Sequence, residues 1–173
     1  LQIQTKDTLQ RHFRMNSKRQ AIFRNMELLI IDEVSMLRAD LLDAMDFMLR
    51  KVRKRNIPFG GVQVLFIGDL LQLPPVVNQH EWHVLKNYYG GIFFFHAQVL
   101  KEAVPLYIEL DKIYRQSDQS FIDILNNLRN NYVSQKDVSI LNNYVRPDFD
   151  ATKEEGYITL TTHNTKADDM NTS

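Results

Sequence analysis

Apolar residues are laid down in two different rhythms along the first third of the chain. Glu27-Leu28-Leu29-Ile30-Ile31 is a short apolar run without alternation, and it stops abruptly at Asp32-Glu33. That length and composition predict a strand buried on both faces, as in a parallel sheet. From Arg38 to Arg55 the rhythm changes: Leu41, Leu42, Met45, Met48, Leu49 and Val52 recur at helical spacing. This predicts an amphipathic helix, ended by Pro58 and Gly60-Gly61. A second unbroken run, Val62-Gln63-Val64-Leu65-Phe66-Ile67, comes next and ends in Gly68-Asp69. Strand, helix, strand predicts a right-handed crossover in a parallel sheet. Polar residues then stand at the carboxyl ends of both strands, where open α/β sheets place their ligands.

The pattern loosens on either side. Residues 1–26 are polar and basic, with Lys18, Arg19 and Arg24, and read as a loop and a short helix. Pro74 to Ala103 is aromatic-rich (Trp82, Tyr88, Tyr89, Phe93, Phe94, Phe95) and is expected to pack as core rather than to stack on bases. Leu106-Tyr107-Ile108-Glu109-Leu110 reads as a third strand. Ser117 or Asp118 can cap a helix carrying Phe121, Ile124, Leu125 and Leu128 on one face. Ser134 with Asp137 resembles a capping box before Val138, Ile140, Leu141 and Val145. After an acidic, turn-rich connector from Pro147 to Gly156, Tyr157-Ile158-Thr159-Leu160 reads as a strand that opens a new domain.

Composition narrows the function classes. The 173 residues have room for one compact domain and part of a second. Lys plus Arg and Asp plus Glu both number 21, so nucleic-acid binding has to come from local sites and not from bulk charge. The absence of Cys excludes a disulfide framework, thiolate zinc sites and a Cys nucleophile. No apolar run approaches the roughly 20 residues that span a bilayer, and Leu1-Gln2-Ile3-Gln4-Thr5 has no initiator Met or signal pattern. The expectation is a cytoplasmic, or otherwise intracellular, segment cut from a longer chain.

Two sites carry candidate chemistry. An acidic pair such as Asp32-Glu33 at a buried strand tip is where a Walker B motif puts a carboxylate for hydrated Mg²⁺ and a second to orient and deprotonate the attacking water. Alone, the pair equally suits a plain strand end or helix cap. At Gly68-Asp69-Leu70-Leu71-Gln72-Leu73-Pro74-Pro75, glycine allows a tight strand exit and the prolines stiffen the segment beyond it, so Asp69 and Gln72 stay near the strand end. There an amide can sense a γ-phosphate or align water. The bland reading is a turn closed by prolines, but two such sites at adjacent strand ends of one βαβ unit favour function.

Asp32-Glu33-Val34-Ser35-Met36 followed by Gly68-Asp69-Leu70-Leu71-Gln72-Leu73-Pro74-Pro75-Val76 resembles motifs II and III of superfamily 1 helicases of the Pif-type and RecD-like group. Leu110-Asp111-Lys112-Ile113-Tyr114-Arg115-Gln116 resembles that group's motif IV, and Leu160-Thr161-Thr162-His163-Asn164 the start of its second motor domain. The likeness runs from Glu27 onward. It implies a RecA-like α/β fold, a parallel sheet flanked by helices. Residues 1–147 would belong to the first motor domain and 148–173 to a connector and the start of the second.

The resemblance further implies that Asp32 holds Mg²⁺, Glu33 is the catalytic base, Gln72 contacts the γ-phosphate and Arg115 neutralises charge on the transferred phosphoryl group. Without it, Arg115 reads as a surface ion pair with Asp111 or Asp118. Thr162, His163 and Asn164 would contact DNA. The implied activity is ATP- and Mg²⁺-dependent translocation on single-stranded DNA, with duplex unwinding at single-strand/duplex junctions, 5′-to-3′, by a monomeric motor.

One departure limits this: no G-x-x-x-x-G-K-[ST] occurs in the 173 residues, so the Walker A strand and loop are absent and the segment alone is expected to be inactive. Rival readings are a helicase-like exonuclease or relaxase-associated subunit, a non-hydrolysing DNA-binding motor domain, and a nonhelicase P-loop ATPase. The basic cluster Arg50, Lys51, Arg53, Lys54 and Arg55 reads as a solvated helix end. No histidine spacing supports zinc.

Overall fold

The computed structural model describes residues 15–112, 114, 116–150 and 156–172. The chain divides into two compact units, Leu1–Asp111 and Lys112–Ser173.

In the first unit, helix α1 (Ser17–Asn25) begins at Asn16, whose side chain accepts from the Arg19 N–H. Strand β1 (Leu28–Ile31) pairs in parallel with β2 (Gln63–Phe66), Leu28 opposite Gln63 through Ile31 opposite Phe66. Between them runs α2 (Ala39–Arg53), which buries Leu42, Leu49 and Val52. The βαβ order predicted from the apolar rhythm is therefore present. Past α2, a 3-10 turn (Pro58–Gly61) presses Phe59 into the core, and Asp46 of α2 accepts the Phe59 N–H at 2.6 Å. Phe94, in a second 3-10 turn (Phe94–His96), stacks on Phe66 with ring centroids 5.3 Å apart. Helices α3 (Gln79–Leu85) and α4 (Val99–Glu102) complete this unit.

Three expectations need correction. The strands are not buried on both faces: Leu29, Ile31, Val64 and Phe66 pack on the core, but Leu28, Ile30 and Leu65 are 46%, 54% and 45% exposed. Among the described residues only one layer covers the sheet. Residues 106–110 form no strand, and neither do residues 157–160. An apolar run becomes a strand only when a neighbour takes its backbone N–H and C=O groups. Among the described residues neither run has such a neighbour, and both lie open to solvent. The aromatic block is also mixed, with Phe94 buried and Tyr88 and Phe95 exposed.

In the second unit, α5 (Gln119–Arg129) starts at Asp118, which accepts the Phe121 N–H, and buries Ile124. Helix α6 (Gln135–Asn142) opens with the anticipated Ser134–Asp137 capping box, and Asp137 also accepts from Asn127 of α5 at 3.1 Å. The Ser134 hydroxyl, the Ser134 N–H and Asn127 hold the Asp137 carboxyl below its ordinary range. Helix α7 (Asn164–Thr172) ends the described chain.

Candidate nucleotide site at the strand tips

Two arms leave the carboxyl ends of β1 and β2. The first carries Asp32 and Glu33 and closes at once into a 3-10 turn, Val34–Met36. Glu33 adopts the left-handed conformation, φ 51 and ψ 43. For a residue with a Cβ this costs about 1–3 kcal/mol and persists only where surrounding contacts enforce it. Those contacts are visible. Asp32 Oδ1 accepts the Glu33 N–H at 2.8 Å, the Met36 N–H reaches Glu33 O at 3.1 Å, and Leu37 N–H reaches Val34 O at 3.0 Å. Val34 and Ser35 are buried beneath, 4% and 1% exposed, while both carboxylates face solvent.

The second arm leaves β2 through Gly68. Val34 N–H donates to Ile67 O at 3.0 Å, lacing the bases of the two arms together. A Cβ at Gly68 would lie 2.8 Å from the Val34 nitrogen, so glycine is required here by the close approach of the arms. Asp69 then organises a turn: its Oδ1 accepts the Leu71 N–H at 3.0 Å, and its carbonyl accepts the Gln72 N–H at 3.0 Å. The Gln72 amide reaches Asp69 Oδ2 at 3.4 Å. Gln72 is exposed, while Pro75 is buried and pins the arm. Asp32, Glu33 and Gln72 thus stand at the tips of two paired strands.

The far end of the second arm is tied down at α3. Asn78 and Glu81 form a capping box: Asn78 Oδ1 accepts the Glu81 N–H at 2.8 Å, and Glu81 Oε2 accepts the Asn78 N–H at 3.2 Å. The other carboxylate oxygen, Oε1, accepts from Arg38 Nη1 at 2.9 Å. Arg38 is 4% exposed and also grips buried Asp40 with two bonds, Nε to Oδ1 at 2.9 Å and Nη2 to Oδ2 at 2.7 Å. The guanidinium, then the Asn78 N–H, hold the Glu81 carboxyl below its ordinary range.

The remaining candidates are placed differently. Arg115 lies outside the described residues. Thr162, His163 and Asn164 belong to the second unit; Thr162 Oγ1 lies 2.8 Å from His163 Nδ1 in an exposed contact, and Asn164 is the first residue of α7. Asp69 was expected beside Gln72 near the strand end, but Arg38 and Glu81 were not singled out from sequence. Asn78-x-x-Glu81 does carry a capping-box spacing that marks a helix start, but nothing in the sequence pairs Glu81 with Arg38. The basic cluster is no uniform solvated face. Arg53 donates to the carbonyls of Phe23, Arg24, Met26 and Gly60, and Arg50 pairs with Asp46 and Glu102. These arginines fasten helix ends.

With this geometry in view, the comparisons with known proteins are decisive. The family pattern for PIF1-like helicases matches residues 1–139. The chain belongs to this family. Its likeness therefore begins well before Glu27, in a segment where no motif was evident. The ATP-dependent DNA helicase PIF1 of Saccharomyces cerevisiae (strain YJM789) is 41% identical over 124 residues, covering 71% of this chain and 14% of that protein. The ATP-dependent DNA helicase PIF1 of Homo sapiens is 43% identical over 105 residues, covering 61% of this chain and 15% of that protein. The crystal structure of Pif1 helicase from Bacteroides, in complex with ADP-AlF3 and ssDNA, superposes with a TM-score of 0.86 at 39% identity, covering 93% of this chain and 38% of that one. The fold is accordingly the RecA-like α/β fold of PIF1-like helicases, present here in part. No described helix is long and apolar enough to cross a membrane.

Proposed function

We propose that this chain is part of an intracellular ATP-dependent DNA helicase and supplies the water-activating half of its nucleotide site. The observation that carries the reading is the lacing of the two arms, which sets an acidic pair and a glutamine at neighbouring strand tips. Residues 1–147 are assigned to the first motor domain and 148–173 to the start of the second. The named relatives, ATP-dependent DNA helicases, support the activity, and the ssDNA in the Bacteroides complex supports the partner.

Glu33 is exposed on a turn that fixes its backbone, so its carboxylate can accept a proton from a water aligned on the γ-phosphate. Gln72, on the more exposed arm, reports whether that phosphate is present. Arg115 is assigned the neutralisation of charge on the transferred group, and Thr162, His163 and Asn164 the contact with the DNA backbone. Asp32 would hold Mg²⁺. Its Oδ1 is engaged by the Glu33 N–H, the residue is exposed, and a single carboxylate suits a cation that keeps most of its water. The described residues contain no cluster of three or more His, Asp or Glu that would form a protein cage for a metal. Held there, Mg²⁺ would supply charge neutralisation for the phosphates.

The test is steady-state ATP hydrolysis by the full-length protein with and without single-stranded DNA. Hydrolysis that rises on adding DNA is expected. Nucleotide binding with no hydrolysis, DNA present or not, would instead mark a motor domain that only binds.

A further inference from the structure

Arg38 has no part in the assigned chemistry, yet it is buried, charged and used at all three nitrogens. It lies five residues beyond Glu33, at the far end of the first arm. Its partner Glu81 stands at the far end of the second. The two arms are therefore joined twice. At their bases Val34 N–H meets Ile67 O, and at their far ends Arg38 meets Glu81, whose second oxygen holds Asn78. Between these joins the second arm is open: Leu70, Leu71, Leu73 and Val76 are 44%, 66%, 69% and 83% exposed. An arm with so little packing takes its position chiefly from its two ends and from Pro75, its one buried residue. The Arg38 backbone is itself fixed, since the residue bridges to Phe93 and the adjoining Ala39 N–H donates to Ile92 O at 3.0 Å.

We propose that Arg38 and Glu81 form a clamp that positions Gln72 against the Glu33 turn, making both of them positioning residues for hydrolysis. The inference rests on the role given to Gln72 above. A bidentate hold on Asp40 orients the guanidinium plane, so its remaining nitrogen points at one place only. Glu81 converts that direction into the starting point of α3 and the end of the arm. Lys cannot substitute, because one ammonium does not supply the fork.

The experiment is a double-mutant cycle in the full-length protein. Glu81→Gln leaves the buried Arg38–Asp40 pair whole, but it puts an NH2 donor where one of the two carboxylate oxygens accepts, so either Arg38 or the Asn78 N–H faces a donor. Turnover and KM for ATP are measured at saturating single-stranded DNA for wild type, Glu81→Gln, Gln72→Ala and the double variant. A loosened catalytic geometry lowers kcat by roughly ten- to a hundredfold while KM for ATP stays unchanged. If Arg38 and Glu81 act through Gln72, the double variant is no slower than Gln72→Ala alone. A merely structural role moves thermal stability but leaves kcat intact. Full turnover by Glu81→Gln, or losses that multiply in the double variant, overturns the clamp. Should Glu81→Gln fail to fold, Glu81→Asp, which keeps the carboxylate but shortens its reach to Arg38 and leaves the Arg38–Asp40 pair whole, enters the same cycle with the same expected and contrary results. Gln72→Ala hydrolysing at the wild-type rate overturns the role of Gln72 itself, and the clamp falls with it. Multiplied losses alongside a defective Gln72→Ala overturn the clamp alone.

Discussion

The two arms at the strand tips differ in how they are held. The first, from Asp32 to Arg38, is short, closed by three local hydrogen bonds and underlain by Val34 and Ser35. It holds a glutamate in a left-handed conformation that an isolated peptide would rarely keep. The second, from Asp69 to Asn78, is longer and mostly exposed, with one internal turn around Asp69. In the role proposed for Glu33, a proton acceptor has to be in one place, and the first arm suits that. In the role proposed for Gln72, a group that senses a leaving phosphate has to shift when the phosphate does. An arm fastened mainly at its ends can do so, because few packed contacts oppose its motion.

The contrast can be tested at its joins. The largest effect is expected from Arg38→Met, which leaves Asp40, only 1% exposed, without its bidentate partner. Breaking a buried pair in this way costs about 3–5 kcal/mol, to be read from chemical denaturation. A near-neutral result would mean that the pair is no anchor. Gly68→Ala forces a Cβ to within 2.8 Å of the Val34 nitrogen, so the lacing at the bases must open. A loss of about 1–3 kcal/mol is expected, with faster amide exchange at Val34. Unchanged exchange there would show that the arms are not closely apposed at their bases.

A smaller effect should accompany acidification. The folded Glu81 pKa is lowered by Arg38 and the Asn78 N–H. The stability it contributes is complete above the ordinary carboxylate value of about 4.3 and is lost as pH falls through the depressed one. Wild type should therefore lose stability below about pH 4.3 more steeply than Glu81→Gln. Identical acid limbs would leave the Arg38–Glu81 contact without energetic weight.

The sequence is a good guide to some of this and silent on the rest, for reasons that are physical. The βαβ unit was legible because apolar periodicity reports burial directly, and β1, α2 and β2 all obey it. The runs at 106–110 and 157–160 misled because periodicity reports what a segment prefers, whereas a strand needs a partner for its backbone. Leu106 and Leu160, 87% and 92% exposed, have none among the described residues. The strand burial was overestimated for the same reason: Leu28 and Ile30 are apolar enough for two covered faces, but among the described residues one is covered. The position of Asp32, Glu33 and Gln72 just beyond the two strand ends was readable from motif spacing. The left-handed turn of Glu33, the Asp69 turn and the Arg38–Glu81 clamp were not. Each depends on a backbone dihedral or on a contact between residues far apart in sequence, 43 positions in the last case.

The central claim is that the Glu33 carboxylate activates water at a triphosphate held beside these two arms. Glu33→Gln in the full-length protein tests it most directly, because the substitution keeps the shape and removes the base. The measurement pairs nucleotide affinity with single-turnover hydrolysis. Affinity for ATP should remain at the wild-type level while hydrolysis falls by roughly a hundred- to ten-thousandfold. Hydrolysis at the wild-type rate, or parallel loss of binding and turnover, would contradict the assignment of Glu33 as the base.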